Sequence, residues 1–200
     1  MSETSTGNGK VVVNRSMSLD GFIAGPGHAM DWIFDFVAPD ADWLTETAAA
    51  AGAMLIGRRT DEVGSRMEAG QERGSASKSE GYPFSGPMFV LTHRPPDPPD
   101  PDVTYLTGDI GEAVAAALEA AGGKNLEILG ADVAGQCLRR GLVDEILVYV
   151  LPVLLGDGVR FFSFPGLTRI DLEPLDSRRA DAVTILRFRV RKPAGSKYEL

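Results

Sequence analysis

The chain has a single cysteine, Cys137, in 200 residues, which excludes an intrachain disulfide and any multi-cysteine metal site. Histidine is almost as scarce, with only His28 and His93 present. A zinc deaminase needs His-x-Glu and Pro-Cys-x-x-Cys, and neither occurs. No metal ligand set is therefore expected. Positive charge is also short: 20 Lys and Arg stand against 28 Asp and Glu, for a formal net charge of −8. An acidic surface repels phosphodiester backbones, which excludes wholesale nucleic-acid binding but leaves room for a local basic pocket holding one small anion. No apolar run approaches the ~18 to 20 residues of a membrane span. The start, "MSETSTGNGK", lacks a basic stretch followed by an apolar one, so no secretory signal is visible and a cytoplasmic protein is expected.

Several nucleotide and hydrolase signatures are missing too. No G-x-G-x-x-G follows a predicted strand, which removes the Rossmann fingerprint. Gly9-Lys10 and Gly123-Lys124 lack Walker spacing, and there is no G-x-S-x-G elbow. Ser75-Ala76-Ser77-Lys78 matches S-x-x-K without its companion motifs, the pattern of a solvated loop. Asn14-Arg15-Ser16 is formally a glycosylation sequon, irrelevant without export.

What is present is an alternating α/β pattern with 44% hydrophobic residues, enough for a sizeable core. "KVVVNRSMSLDGFIAG" reads as a strand ending near Ser16 and a turn at Leu19-Asp20-Gly21. "PDADWLTETAAAAG" reads as a helix capped by Asp40 or Asp42 and closed by Gly52. "AMLIG" is a short strand covered on both faces, and "RRTDEVGSRME" a helix entered directly from it. Residues 70 to 86 are small and polar without periodicity, as in a mobile loop. "PMFVLT" and "VTYL" are strands joined by a proline-rich link. "DIGEAVAAALEAAGG" is a helix with a capping box at Asp109 and Glu112. "LEIL" and "ADVAGQCLRRG" repeat the strand-helix unit. "LVDEILVYVLPVLLGDGVRFF" is a long strand whose Gly156 and Gly158 would return the chain as its antiparallel neighbour, and "DAVTILRFRV" is a last strand. This order predicts a largely parallel sheet with helices on both faces and antiparallel strands at the end. Ile146 to Val153, if left on an edge, would be safer covered by a partner.

Three strand ends carry chemistry. At "LIGRRTDE", Arg58, Arg59 and Thr60 open a helix after Gly57. Cations there oppose the helix macrodipole unless an anion is near, which suggests a phosphate; alternatively Asp61 and Glu62 balance them on a solvated face. At "FVLTHRP", Thr92, His93 and Arg94 stand where open α/β sheets bind ligands and would suit a sugar phosphate, or form an ordinary polar junction. At "LGADVAGQCL", small residues let backbone N–H groups approach a pyrophosphate. The glycines of "LDGFIAGPGHAMDWIF" suggest a mobile cover. Asp31 and Trp32 would then meet a ligand ring, or form a capping aspartate beside a core tryptophan.

The segments "SMSLDGFIA", "MDW", "GRRT", "VLTHRP", "LGADVAGQCLRRGLVDEI" and "PVLLGDGVRFF" resemble the dihydrofolate reductase-like superfamily. The nearest branch is the reductase domain at the C-terminus of bifunctional riboflavin-biosynthesis deaminase-reductases, in stand-alone form. The resemblance covers residues 10 to 191 and leaves tails at 1–9 and 192–200. It implies a three-layer fold with a mostly parallel central sheet and an antiparallel C-terminal hairpin, NADPH as hydride donor, and a homodimer. By matching motif, Gly57, Arg58, Arg59 and Thr60 would hold NADPH phosphates, and Thr92, His93 and Arg94 the adenosine 2′-phosphate. Gly130, Ala131, Asp132, Val133 and Ala134 would cradle the pyrophosphate, and Ile23 and Ala24 would lie along the nicotinamide.

The sequence departs from the family at Leu129-Gly130, where paired glycines are common. It also departs at Asp40 and Asp42, neither in register with the acid of true folate reductases. The expected activity is reduction of a small heterocyclic or phosphoribosylamino-pyrimidine substrate, whose own phosphate would need a second cationic site among Arg66, Lys78 and Arg160. The alternatives are a non-catalytic nucleotide-binding or dimerisation module, and true dihydrofolate reduction.

Overall fold

The computed structural model of the protein describes residues 9–38, 41–72 and 83–192, with backbone alone for 67–72. The expected tails, 1–9 and 192–200, lie outside these residues except for Gly9 and Lys192. In chain order the elements are β1 (Val11–Ser18), β2 (Phe22–Ala24), α1 (Asp42–Ala50), β3 (Ala51–Gly57), α2 (Arg58–Glu72), β4 (Met88–Leu91), β5 (Val103–Leu106), α3 (Ile110–Ala120), β6 (Asn125–Leu129), α4 (Ala131–Arg139), β7 (Glu145–Leu151), β8 (Val159–Arg160), β9 (Leu172–Ala180) and β10 (Val183–Val190). Eight strands form one sheet in the order β5-β4-β3-β6-β1-β7-β10-β9. The pairings from β5 through to β7 are parallel, and β10 and β9 close the sheet as an antiparallel hairpin.

Side-chain alternation on the strands fills a core on each face. Val11 and Val13 of β1, Ala53 and Leu55 of β3, and Leu126 and Ile128 of β6 pack with α3 and α4 on one side. On the other, Trp43 of α1 packs with Tyr149, Leu151, Val183 and Ile185. The Trp43 and Tyr149 rings lie 4.3 Å apart, and Thr47 Oγ1 is 2.6 Å from the Tyr149 hydroxyl. Burial pushes that phenol up to about 12. β7 is apolar on both faces because helices cover both.

The structure corrects several expectations. β1 runs to Ser18, past Ser16, because β7 pairs with it along its whole length to Leu151. Ala41 precedes α1 without a side-chain cap, Asp42 is the first helical residue, and Asp40 lies outside the described residues. Gly52 does not close α1. It lies in β3, where a Cβ would come within 2.1 Å of the Ala121 carbonyl oxygen, so close chain packing selects glycine there. α2 continues to Glu72, two residues into the expected loop, and residues 73–82 are outside the described set. Gly156 and Gly158 do not return the chain beside β7. The short β8 that follows them pairs with β2 in a separate two-stranded sheet, and the antiparallel neighbour of β7 is β10. β7 is therefore interior, and the argument for a partner over Ile146 to Val153 loses its edge.

Asp20 holds the loop after β7 in place. Its carboxylate accepts from Ser18 Oγ at 2.6 Å and from the N–H groups of Leu155 and Gly156 at 3.1 and 2.8 Å. The Ser18 hydroxyl leads the bonds that lower its pKa.

Glu145 enters the sheet almost fully buried and is met by Lys10 Nζ at 2.5 Å and Arg187 Nε at 2.6 Å. Burial raises its pKa, but the hydrogen bonds from Lys10 and Arg187 outweigh it, and the net direction is down from 4.5. A depressed carboxylate stabilises the fold above its unfolded pKa and loses that contribution as pH falls through the folded one. Glu145→Gln is expected to cost about 1.5–3 kcal/mol near neutrality, the size of hydrogen bonds to a charged group. Urea melts of both proteins should converge as the pH is taken below about 4. A constant gap across that range would contradict the assignment.

Candidate functional site

Strands β4, β3 and β6 are neighbours and end at nearly one level. Gly57 is opposite Leu91, and Ile56 opposite Leu129. The chain leaves β3 through α2 toward β4, but leaves β6 through α4 across β1 to β7. Connections that run in opposite directions from adjacent strands open a crevice beyond the strands' carboxyl ends. A cleft of about 440 Å³ occupies this position.

The first turns of α2 and α4 meet in that cleft. A Cβ on Gly130 would sit 2.6 Å from Thr60 Oγ1, and one on Gly57 would sit 3.2 Å from Val133 Cγ2. Gly130 also has φ of 101°, a region side chains disfavour. Glycine at both positions brings two helix starts together, and the unpaired N–H groups of helix starts carry partial positive charge.

Side chains add formal charge. Arg58 and Arg59 are exposed at the start of α2 and line the cleft. Arg58 forms an ion pair with Glu62 one turn along, whereas Arg59 has no ion-pair partner among the described residues. Thr92 is buried, and its Oγ1 accepts from the Arg94 N–H at 3.0 Å, which shapes the turn that carries His93 to the cleft. Asp132, in the first turn of α4, accepts from Gln136 Nε2 at 2.8 Å. At the other end the walls are apolar, built from Ile23 and Ala24 of β2 and Val159 of β8.

Of the residues expected from sequence, the cleft gathers Ile23, Ala24, Gly57, Arg58, Arg59, Thr60, Thr92, His93, Gly130, Ala131, Asp132 and Val133. Four lie off its wall. Ala134 is fully buried behind the α4 turn, with its N–H on the Gly130 carbonyl. Arg94 is exposed just beyond the rim. Asp31 is exposed, and Trp32 packs against the Trp43 cluster across the sheet with its indole N–H buried and unpartnered. Arg15, His28, Met30, Val63 and Leu91 line the cleft and were not foreseen. Of the candidates for a second cationic site, Arg160 lies 4.4 Å from the Phe22 ring centre and donates to the Asp20 carbonyl, Arg66 bonds the Glu62 carbonyl, and Lys78 lies outside the described residues.

Residues 9–186 match the family model of the RibD C-terminal domain. The chain belongs to that family. Among curated proteins, an uncharacterised Bacillus subtilis protein, YwjB, is 25% identical over 155 residues, covering 76% of this chain and 82% of its own. A solved structure from Shewanella sp. PV-4, ascribed to riboflavin biosynthesis, superposes with a TM-score of 0.75 at 23% identity, covering 92% of this chain and 99% of that one. A Thermotoga maritima diaminohydroxyphosphoribosylaminopyrimidine deaminase/5-amino-6-(5-phosphoribosylamino)uracil reductase gives 0.64 at 15%, covering 92% of this chain and 57% of that one. Enterococcus faecalis dihydrofolate reductase, solved with NADP(H), gives 0.54 at 14%, covering 92% and 98%. The RibD C-terminal domain family thus has here the dihydrofolate reductase-like fold expected from sequence.

Proposed function

We propose that the protein is an NADPH-dependent reductase of a small heterocyclic substrate of the phosphoribosylamino-pyrimidine type. One observation carries this reading: three adjacent strand ends turn two helix starts, two arginines and a threonine-histidine pair toward one cleft whose far end is apolar. That is the polarity of a dinucleotide, anionic over most of its length and aromatic at the reactive end. The residues fit such a group, since the space a Gly130 Cβ would fill is kept open between two helix starts. Gly57 to Thr60 and Gly130 to Val133 would hold the diphosphate, Thr92 and His93 the adenosine end with its 2′-phosphate, and Ile23 and Ala24 the nicotinamide.

Bound there, the cofactor supplies a hydride. The chain's part is to fix the ring's orientation against β2 and to keep water from its face, and positioning of this kind accounts for much of a reductase's rate gain. We carry the homodimer over from the resemblance; light scattering of the purified chain tests it. For the activity, the test is loss of reduced-nicotinamide absorbance on mixing enzyme, NADPH and 5-amino-6-(5-phosphoribosylamino)uracil. Turnover is expected with this compound and not with dihydrofolate. Tight NADPH binding with no turnover on pyrimidine, pterin or carbonyl substrates would leave a nucleotide-binding module and end the reductase reading.

A further inference from the structure

Arg15 is the one charged residue on β1 that shares a face with the apolar core. Val11 and Val13 precede it on the side packed against α3 and α4, and Met17 follows. Its guanidinium lines the cleft, its Nε is sealed from solvent without a partner, and no ion pair reaches it among the described residues. Burial alone pulls its pKa down to about 10, which leaves it charged at neutral pH. A buried, uncompensated cation is expensive for a fold, and a methionine would fill the same space without that cost. The one carboxylate on the cleft wall, Asp132, is engaged with Gln136.

The register explains where this cation points. Val13 is opposite Ile128, so two residues on Arg15 falls level with Gly130, and Gly57 falls level with Gly130 from the other side. Arg15 and Gly57 thus flank the α4 turn from strands about 5 Å away on either side. Arg15 projects from the face on which α4 packs. We propose that Arg15 is a ligand-binding residue whose guanidinium hydrogen-bonds the diphosphate seated at the α4 N-terminus, opposite Arg58 and Arg59. The inference rests on the dinucleotide reading above and adds to it a floor cation that the helix starts alone do not supply. It also accounts for the orphaned Nε: the partner is the ligand.

The test is calorimetric titration of wild type, Arg15→Met and Arg15→Lys with NADPH, inorganic diphosphate and adenosine 2′-phosphate, together with melting of the ligand-free proteins. Arg15→Met should weaken NADPH and diphosphate by about 10- to 100-fold, the range for a charge-assisted bond. Arg15→Lys should recover part of that loss, having the charge without the planar fork. Adenosine 2′-phosphate, which does not reach the α4 turn, should bind all three alike. Ligand-free Arg15→Met should melt above wild type, because a lone buried charge is gone. Unchanged NADPH affinity in Arg15→Met would overturn the inference and leave the cofactor reading standing. A lower melting point in both variants, with affinity lost for all three ligands, would make Arg15 structural and overturn it as well. Wild type that binds diphosphate through Arg15 but no dinucleotide would keep the inference and end the cofactor reading. Wild type that binds neither would end both.

Discussion

Gly130→Val is expected to abolish measurable NADPH binding and to lower the melting temperature by roughly 2–12 °C. Two costs combine. A valine at φ of 101° is held in a backbone region that costs about 1–3 kcal/mol for a side-chain-bearing residue. Its Cβ would also stand 2.6 Å from Thr60 Oγ1, so the first turn of α2 must move away from α4. That movement separates the two helix starts and fills the space between them, and the anion loses donors from both. Gly130→Ala should show the same strain with less blockage. Thr60→Ala added to Gly130→Ala should restore part of the stability by removing the clash. Scanning calorimetry and NADPH titration together read the result; a Gly130→Val protein that binds like wild type would place the ligand elsewhere.

Arg58→Ala with Arg59→Ala should move stability and affinity in opposite directions. Both cations sit in the first turn of a 15-residue helix, against the positive end of its dipole. Each opposes the dipole by about 0.3–1 kcal/mol, partly offset for Arg58 by its exposed pair with Glu62. Removing both should leave the ligand-free protein as stable as wild type or slightly more so. NADPH affinity should fall by one to two orders of magnitude, about 1.5–3 kcal/mol for each charge-assisted bond lost, and its salt dependence should flatten. Arg59→Ala alone should account for more of the loss than Arg58→Ala, since Arg58 is already engaged with Glu62. If Asp61 and Glu62 simply balance a solvated face, neither affinity nor salt dependence will move.

Much of this site was legible in the sequence because its parts are local. Gly57 and Gly130 each stop an apolar run where a helix begins, and such punctuation survives without tertiary context. What was missed depends on neighbours. The sequence Asn14-Arg15-Ser16 looks like the polar end of a strand, yet β1 runs on to Ser18 because β6 and β7 pair with it from either side. Arg15 therefore shows its meaning only once the sheet order is known. β9, with "LEPLDSRRA", has a proline, four charges and no alternation. It is an exposed edge held by β10, and its polarity and Pro174 blunt that edge against further pairing. The apolar run after Leu142 suggested one long hairpin. In fact the hydrogen bonds from Leu155 and Gly156 to Asp20 draw the chain toward β2 instead. Asp31 and Trp32 were read as facing a ligand ring from chain order alone, but the turn after Met30 takes Trp32 to the Trp43 side of the sheet.

The most direct measurement of the account is calorimetric titration of the unmodified protein with NADPH and, separately, NADH. A single-site exotherm with NADPH, weakened as salt rises, and a lower affinity for NADH are the predicted outcome. No heat and no fluorescence change with either nucleotide would mean that the crevice between β3 and β6 holds no dinucleotide, and the reductase assignment would be wrong.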